Sequence, residues 1–239
     1  MRKLKVQKSK GSQKKTHPFH IQELPGKYFP RNTKGKDYRN ELARMMNNLR
    51  YTNEKIQYSA QLCVFNIRCM TRKGGFNPLP SEVFRLIQEF VYHYENFCFR
   101  LFAFREKVLK FINAILPVGF VKDRYATIQH MMVMPIVKQA GLLSVIQEFD
   151  NKKDLGKVIN DRHALTHKLY YGKEFDHYLR PRNIEPKSAK EFKQWCTQWR
   201  KEISNRAELS ENCMYTISKM NHELTAKIIN YKDSLKRKK

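Results

Sequence analysis

The sequence predicts an all-α fold, a bundle of long antiparallel helices joined by shorter ones. Three observations carry that prediction. Apolar residues recur at three- and four-residue steps through long stretches without glycine or proline, no run of alternating strand residues interrupts them, and glycine and proline cluster between the periodic stretches.

Residues 1–40 carry twelve Lys or Arg, from Arg2 and Lys3 to Lys36 and Arg39, against Glu23 and Asp37. Gly11, Pro18, Pro25, Gly26, Pro30 and Gly35 punctuate them, so 1–39 is expected to be a basic, partly flexible arm. Phe19, Tyr28 and Phe29 would lay its second half along a surface. From Asn40 to Thr71 there is neither Gly nor Pro, and Leu42, Met45, Leu49, Ile56, Ala60, Cys63 and Ile67 mark one face of an amphipathic helix. The run Lys73-Gly74-Gly75-Phe76-Asn77-Pro78-Leu79-Pro80 is a turn, and Pro80 suits the first turn of the next helix.

Ser81 to Leu116 carries the strongest periodicity. Ile87, Phe90, Tyr94, Phe97, Leu101, Phe104, Val108, Phe111 and Ile115 alternate steps of three and four. They define a seam along a helix of roughly 50 Å, which needs an equally long partner helix in the chain or in a second copy. Pro117 and Gly119 break it. Shorter helices are expected at about 124–134 and 136–149, with Pro135 and Gly141 limiting their regularity. Leu155, Val158, Ile159, Leu165 and Leu169 give residues 152–171 an apolar side, and Gly172 supplies a stop. After a connection through Pro181 and Pro186, Ser188 and Glu191 form an S-x-x-E capping box ahead of Phe192, Trp195, Trp199 and Ile203. A last helix reads through Met214, Ile217, Leu224, Ile228 and Tyr231. The expected organisation is an arm at 1–39, a helical core at 40–172, a C-terminal hairpin or long helix at 173–235 packed on that core, and a basic tail at 236–239.

Composition narrows the partners. The 239-residue chain carries a formal charge of +25, and 41% of its residues are hydrophobic, enough to bury a core and to exclude wholesale disorder. An excess of that size calls for an anionic partner. No stretch of about 18 apolar residues escapes a charge, and the basic N-terminus precedes no apolar run, so neither a membrane span nor a secretory signal is expected. The expected setting is cytoplasmic. Cys63, Cys69, Cys98, Cys196 and Cys213 are odd in number and lack CxxC spacing, which fits reduced core thiols rather than disulfides or zinc ligands.

The sharpest local feature is Asn160-Asp161-Arg162-His163-Ala164-Leu165-Thr166-His167. With Arg162 at zero on a helical wheel, His163 falls at about 100° and His167 at about 140°, whereas Leu165 and Leu169 fall at about 300° and 340°. One helix can therefore bury its leucines and present a guanidinium with two imidazoles. That set suits a phosphodiester: Arg offers a planar, permanently charged fork to phosphate oxygens, and His exchanges a proton near pH 7. In a chain of this composition a chance R-x4-H is expected about 0.6 times, and about 0.07 times when Asn, Asp or His must follow the Arg. Arg124 and His130 also satisfy a loose spacing, but Tyr125 follows the Arg and no second polar head joins them.

Arg162, His163 and His167, set between apolar helical turns, resemble the R-x(4 to 6)-H motif of the HEPN superfamily. The resemblance covers the motif and, more loosely, the helices from about 40 to 172. It implies a helical bundle that dimerises to bring two motifs into one cleft. It implies a metal-independent endoribonuclease of a toxin, antiviral-defence or RNA-processing system, with Arg162, His163 and His167 catalytic. No cofactor or metal is implied; the partners would be RNA, a second copy and an antitoxin or defence-system protein, with no membrane. HEPN toxins paired with nucleotidyltransferase antitoxins often place a Tyr two residues after the final His, but Lys168 and Leu169 precede Tyr170 here. Neutralisation by tyrosine modification is therefore not implied.

Other assignments of the same residues stay open. The three heads could form a solvated face, or the site could be degenerate and the chain a non-catalytic helical nucleic-acid-binding protein. His163, His167 and Asp161 could hold a metal, although Ala164 stands where H-E-x-x-H needs its Glu. No GxxxxGK[ST], GxGxxG or GxSxG pattern occurs.

Overall fold

The computed structural model describes residues 35–71, 80–116, 128–149, 153–167 and 188–237, and every regular element among them is an α-helix. In chain order they are α1 (Gly35–Thr71), α2 (Pro80–Ile115), α3 (Ile128–Val133), α4 (Pro135–Gln139), α5 (Leu143–Gln147), α6 (Asp154–His167) and α7 (Ala189–Arg237). The basic arm before Gly35, the Lys73–Leu79 turn, residues 124–127, the 173–187 connection and Lys238–Lys239 lie outside the described residues, as does the Cys69 side chain. No helix among the described residues is long and apolar enough to cross a membrane.

The seam of α2 is the centre of the molecule. Ile87, Phe90, Tyr94, Phe97, Leu101, Phe104, Val108, Phe111 and Ile115 are all buried. Each apolar side chain so placed contributes about 1.5–3 kcal/mol relative to exposure, which dwarfs any helix-propensity term in this segment. The long partner that such a seam requires is α1, whose Leu42, Leu49, Ile56, Ala60 and Cys63 are buried against it. Two polar ties fix the register: Arg100 Nη1 donates to the Lys55 carbonyl (3.0 Å) and Ser59 Oγ (2.9 Å), and Lys107 Nζ donates to Thr52 Oγ1 (2.6 Å). As numbers rise along α2 their partners on α1 fall, so the pair is antiparallel.

One helix boundary differs from the sequence expectation. Helix α1 begins at Gly35 rather than Asn40, because glycine is tolerated at a helix start even though it breaks an interior. At the other end the capping box forms as expected, with Glu191 N donating to Ser188 Oγ at 3.2 Å. It opens one 49-residue helix, the long-helix alternative rather than the hairpin. Nothing between Ala189 and Arg237 is Gly or Pro, so no residue stops the first segment before the second begins. The buried stripe of α7, from Trp195 and Trp199 through Ile217 to Ile228, packs along α1 and α6.

The expected 136–149 helix is split into α4 and α5 by Gly141, whose φ of 68° lies in the left-handed region. Helices α3 to α5 close one end of the bundle. Phe149 reaches the Phe104 ring of α2 at 6.4 Å between centroids, and Lys227 Nζ of α7 donates to Ser144 Oγ at 2.6 Å. Four of the five cysteines are free thiols, and Cys63, Cys98 and Cys213 are buried. Burial pushes the Cys63 pKa up to about 12, so that thiol stays protonated and inert.

Helix α6 is locked between α2 and α7 by a buried polar cluster. Tyr94 Oη donates to Asp161 Oδ2 at 2.6 Å, and Arg206 Nη1 donates to the same Asp161 oxygen and, at 3.2 Å, to Tyr94 Oη. Arg206 Nε faces Glu202 Oε1 at 3.3 Å, and its guanidinium lies 5.3 Å from the Tyr94 ring centroid. Only 15% of the Arg206 side chain and 19% of Asp161 reach solvent. Burial works against the Arg206 charge, but Tyr94, Asp161 and Glu202 more than offset it and its pKa rises; burial drives Tyr94 well above a normal phenol, helped by Cys98 and Asp161.

Asp161→Ala removes the carboxylate that ties α6 to Tyr94 and Arg206, leaving Glu202 as the counterion of Arg206, and should lower the unfolding free energy in urea by about 1–3 kcal/mol. Adding Arg206→Met should recover a large part of that loss; a double variant as weak as the single one would show that the charge pair is not what Asp161 supplies. Gly141→Ala meets no atom within 4 Å, yet the left-handed backbone should cost about 1–2 kcal/mol. Gly141→Asn should cost less than Gly141→Ala, and equal losses would point to a cause other than backbone strain.

Candidate functional site

The anchored side of α6 determines where the next residues point. Asp161 is held toward α2 and α7, and successive helix positions turn by about 100°. Arg162 therefore comes round to the α2 side, beside the buried row of Leu155, Val158 and Ile159, and is half-buried. His163 comes next and is exposed. His167 is the last residue of α6, one turn beyond His163 on the helix, and its side chain lies outside the described residues.

Arg162 and His163 meet on one aromatic ring. The Arg162 guanidinium carbon stands 3.9 Å from the centroid of Phe102 and 6.0 Å from that of Phe99, both on α2. The His163 imidazole meets Phe102 edge-on, with centroids 5.7 Å apart and an interplanar angle of 83°. A second guanidinium, that of Arg105, lies 4.3 Å from the same ring. Arg105 also binds Glu106 Oε1 through Nη2 at 3.0 Å, so part of its charge is balanced locally. Phe102 thus holds two guanidinium groups and an imidazole together on the outer side of the α2–α6 seam.

Chemically, a guanidinium lying on a ring at this distance gains cation–π attraction and loses rotamer freedom. A guanidinium is also a planar fork of N–H donors of the geometry that phosphate oxygens accept. The adjacent imidazole can accept or donate a proton beside that anion. The arc expected from the sequence is therefore asymmetric: Arg162 leans onto the neighbouring helix and His163 faces outward.

Asp161 does not join this group. Its carboxylate is occupied by Tyr94 and Arg206 on the other side of α6, so the set His163, His167 and Asp161 is not assembled as a metal shell. On that other flank, α6 and α7 border a groove of about 430 Å³. Lys157, Asn160, Asn205, Glu208 and Asn212 line it, and neither Arg162 nor His163 does.

Sequence reasoning missed Phe99, Phe102 and Arg105. All three stand off the α2 seam, at positions whose only signal is a Phe three residues from an Arg on a face that the core does not need. The residues that they meet on α6 lie about sixty positions away, and no local period links the two helices.

No curated protein and no solved structure matches the chain. The family Cthe2314-like HEPN matches residues 43–225, well over half of the sequence. The match takes in α6 with Arg162, His163 and His167, and it continues past the expected limit near residue 172 through most of α7. The long helices packed around α6, the R-H-x-x-x-H segment that α6 carries and this family match converge: the chain belongs to the Cthe2314-like HEPN family.

Proposed function

We propose that the protein is a metal-independent endoribonuclease that acts as a homodimer in the cytoplasm. The observation that carries this proposal is the convergence of Arg162 and His163 on Phe102, on the helix that bears the R-x4-H motif. In the reaction, His167 takes the proton of a ribose 2′-hydroxyl and the 2′-oxygen bonds to the adjacent phosphorus. The bond from phosphorus to the 5′-oxygen breaks, and that oxygen receives a proton from His163 or from a histidine of the second copy. Arg162 neutralises the crowded phosphoryl oxygens as charge builds on them. The products are a 2′,3′-cyclic phosphate and a 5′-hydroxyl. Requirement for the 2′-hydroxyl selects RNA over DNA.

Charge supports the substrate class. A chain of +25 attracts polyanions by counterion release, an affinity that falls steeply with salt and carries no sequence preference. A second proposal comes from the pairing of Arg105 with Arg162 on one ring. Two guanidinium groups suffice to hold a phosphate without turnover, so the chain could be a non-catalytic RNA-binding member of the family.

Labelled RNA incubated with purified protein in EDTA should yield cyclic-phosphate ends, and an Arg162→Ala/His167→Ala double variant should cut at least about a hundredfold more slowly. Equal cleavage by both proteins would sink the catalytic proposal. Binding without cleavage, weakening steeply between low and physiological salt, would favour the non-catalytic one.

A further inference from the structure

Helix α2 carries more aromatic residues than its core stripe uses. Phe90, Phe97, Phe104 and Phe111 are buried, whereas Phe99 is 45% exposed and Tyr92, seven residues earlier on the same line, is 62% exposed. Seven residues are about 10.5 Å of helix, so the two rings stand in a row on the outer side of α2. Phe99 is the ring beside the Arg162 guanidinium, at 6.0 Å. An exposed aromatic face next to a guanidinium is what an unpaired base with its phosphate needs, since every base has a π-face to stack and one charge to satisfy.

On the helical wheel of α2, Glu106 and Glu95 stand between Phe99 and Phe102, and Glu106 is engaged by Arg105. The guanidinium groups of Arg162 and Arg105 lie on Phe102. A strand that meets Arg162 with a phosphate can turn the adjacent base outward over Phe99. A duplex has its base faces occupied and cannot do this.

We propose that Phe99 is a stacking platform for the unpaired base next to the phosphate held by Arg162, with Tyr92 as the next stacking position. The ligand is then single-stranded RNA. This deepens the function proposed above and rests on Arg162 taking a phosphate. Phe99 touches the base and not the reacting atoms, so it is a positioning and selectivity residue.

The test uses the full-length protein and a single-stranded oligonucleotide with 2′-O-methyl riboses, which cannot be cut by 2′-hydroxyl attack, carrying one 2-aminopurine. Stacking should quench the 2-aminopurine on binding. Phe99→Ala should weaken binding about 5- to 150-fold and restore the fluorescence, whereas Phe99→Trp should keep both affinity and quenching. Phe99→Leu keeps an apolar side chain without a π-face and should behave like Phe99→Ala, which separates stacking from packing. The same oligonucleotide annealed to its complement should bind all four proteins alike. Unchanged affinity and fluorescence in Phe99→Ala would overturn the proposal. So would a shift of Phe99→Ala from dimer to monomer in light scattering with RNA affinity per protomer intact, which would make Phe99 a contact for a second copy. Because the strand cannot be cleaved, quenching by a protein that never cuts RNA defeats the nuclease and keeps the platform; cleavage without a Phe99 effect does the reverse.

Discussion

The rotation of α6 about its own axis is fixed by one buried cluster, and the candidate site depends on that rotation. Asp161 is gripped by Tyr94 from α2 and by Arg206 from α7. A helix whose apolar stripe alone faced the core could roll by tens of degrees at little cost, because Leu155, Val158 and Ile159 would still find apolar neighbours. A carboxylate between a phenol and a guanidinium cannot roll without breaking charge-assisted hydrogen bonds in a poorly solvated place. With Asp161 fixed, Arg162 must face α2 and His163 must face out.

The same cluster shows why a polar core is retained where apolar packing would be at least as stable. Desolvating Arg206 and Asp161 costs several kcal/mol per ion before their attraction is counted, so a well-packed apolar replacement of the pair need not be weaker. The pair adds direction. It joins three helices that are far apart in sequence, and it stands one residue from the arginine of the R-x4-H segment. Arg162 in turn rests on Phe102 rather than reaching freely into solvent. An arginine already ordered on a ring loses less entropy when it meets a phosphate than one of the many exposed lysines that supply the net charge. Under the function proposed above, nonspecific affinity and a defined phosphate position would come from different residues.

Legibility in a single sequence depends on whether the cause is local. The α2 seam is readable because a 3.6-residue period is a property of one segment, and each residue from Ile87 to Ile115 named for it is buried. The capping Ser188 is readable for the same reason. The extra turn of α1 before Asn40 is not, because a glycine breaks a helix inside it but can begin one. For α7 the two apolar stretches leave a hairpin and one long helix both open, and the absence of glycine and proline between Ala189 and Arg237 agrees with the long helix that forms. At the site, the residue types and spacing on α6 are visible, but the partner of Arg162 is not. Phe102 lies off the α2 seam, and only the antiparallel α1–α2 pair and the anchored α6 bring it under the guanidinium.

The neighbouring positions 161 and 162 divide labour between structure and chemistry, and their separation by about 100° makes the division workable. Turned into the α2–α7 interface, the Asp161 carboxylate meets Arg206, while the guanidinium groups of Arg162 and Arg105 gather on Phe102 on the other flank. The polar groove on the opposite flank is lined by the acids Asp154, Asp161, Glu202 and Glu208 with the cations Lys157 and Arg206. The helix has two unlike sides because Asp161 is aimed away from Arg162.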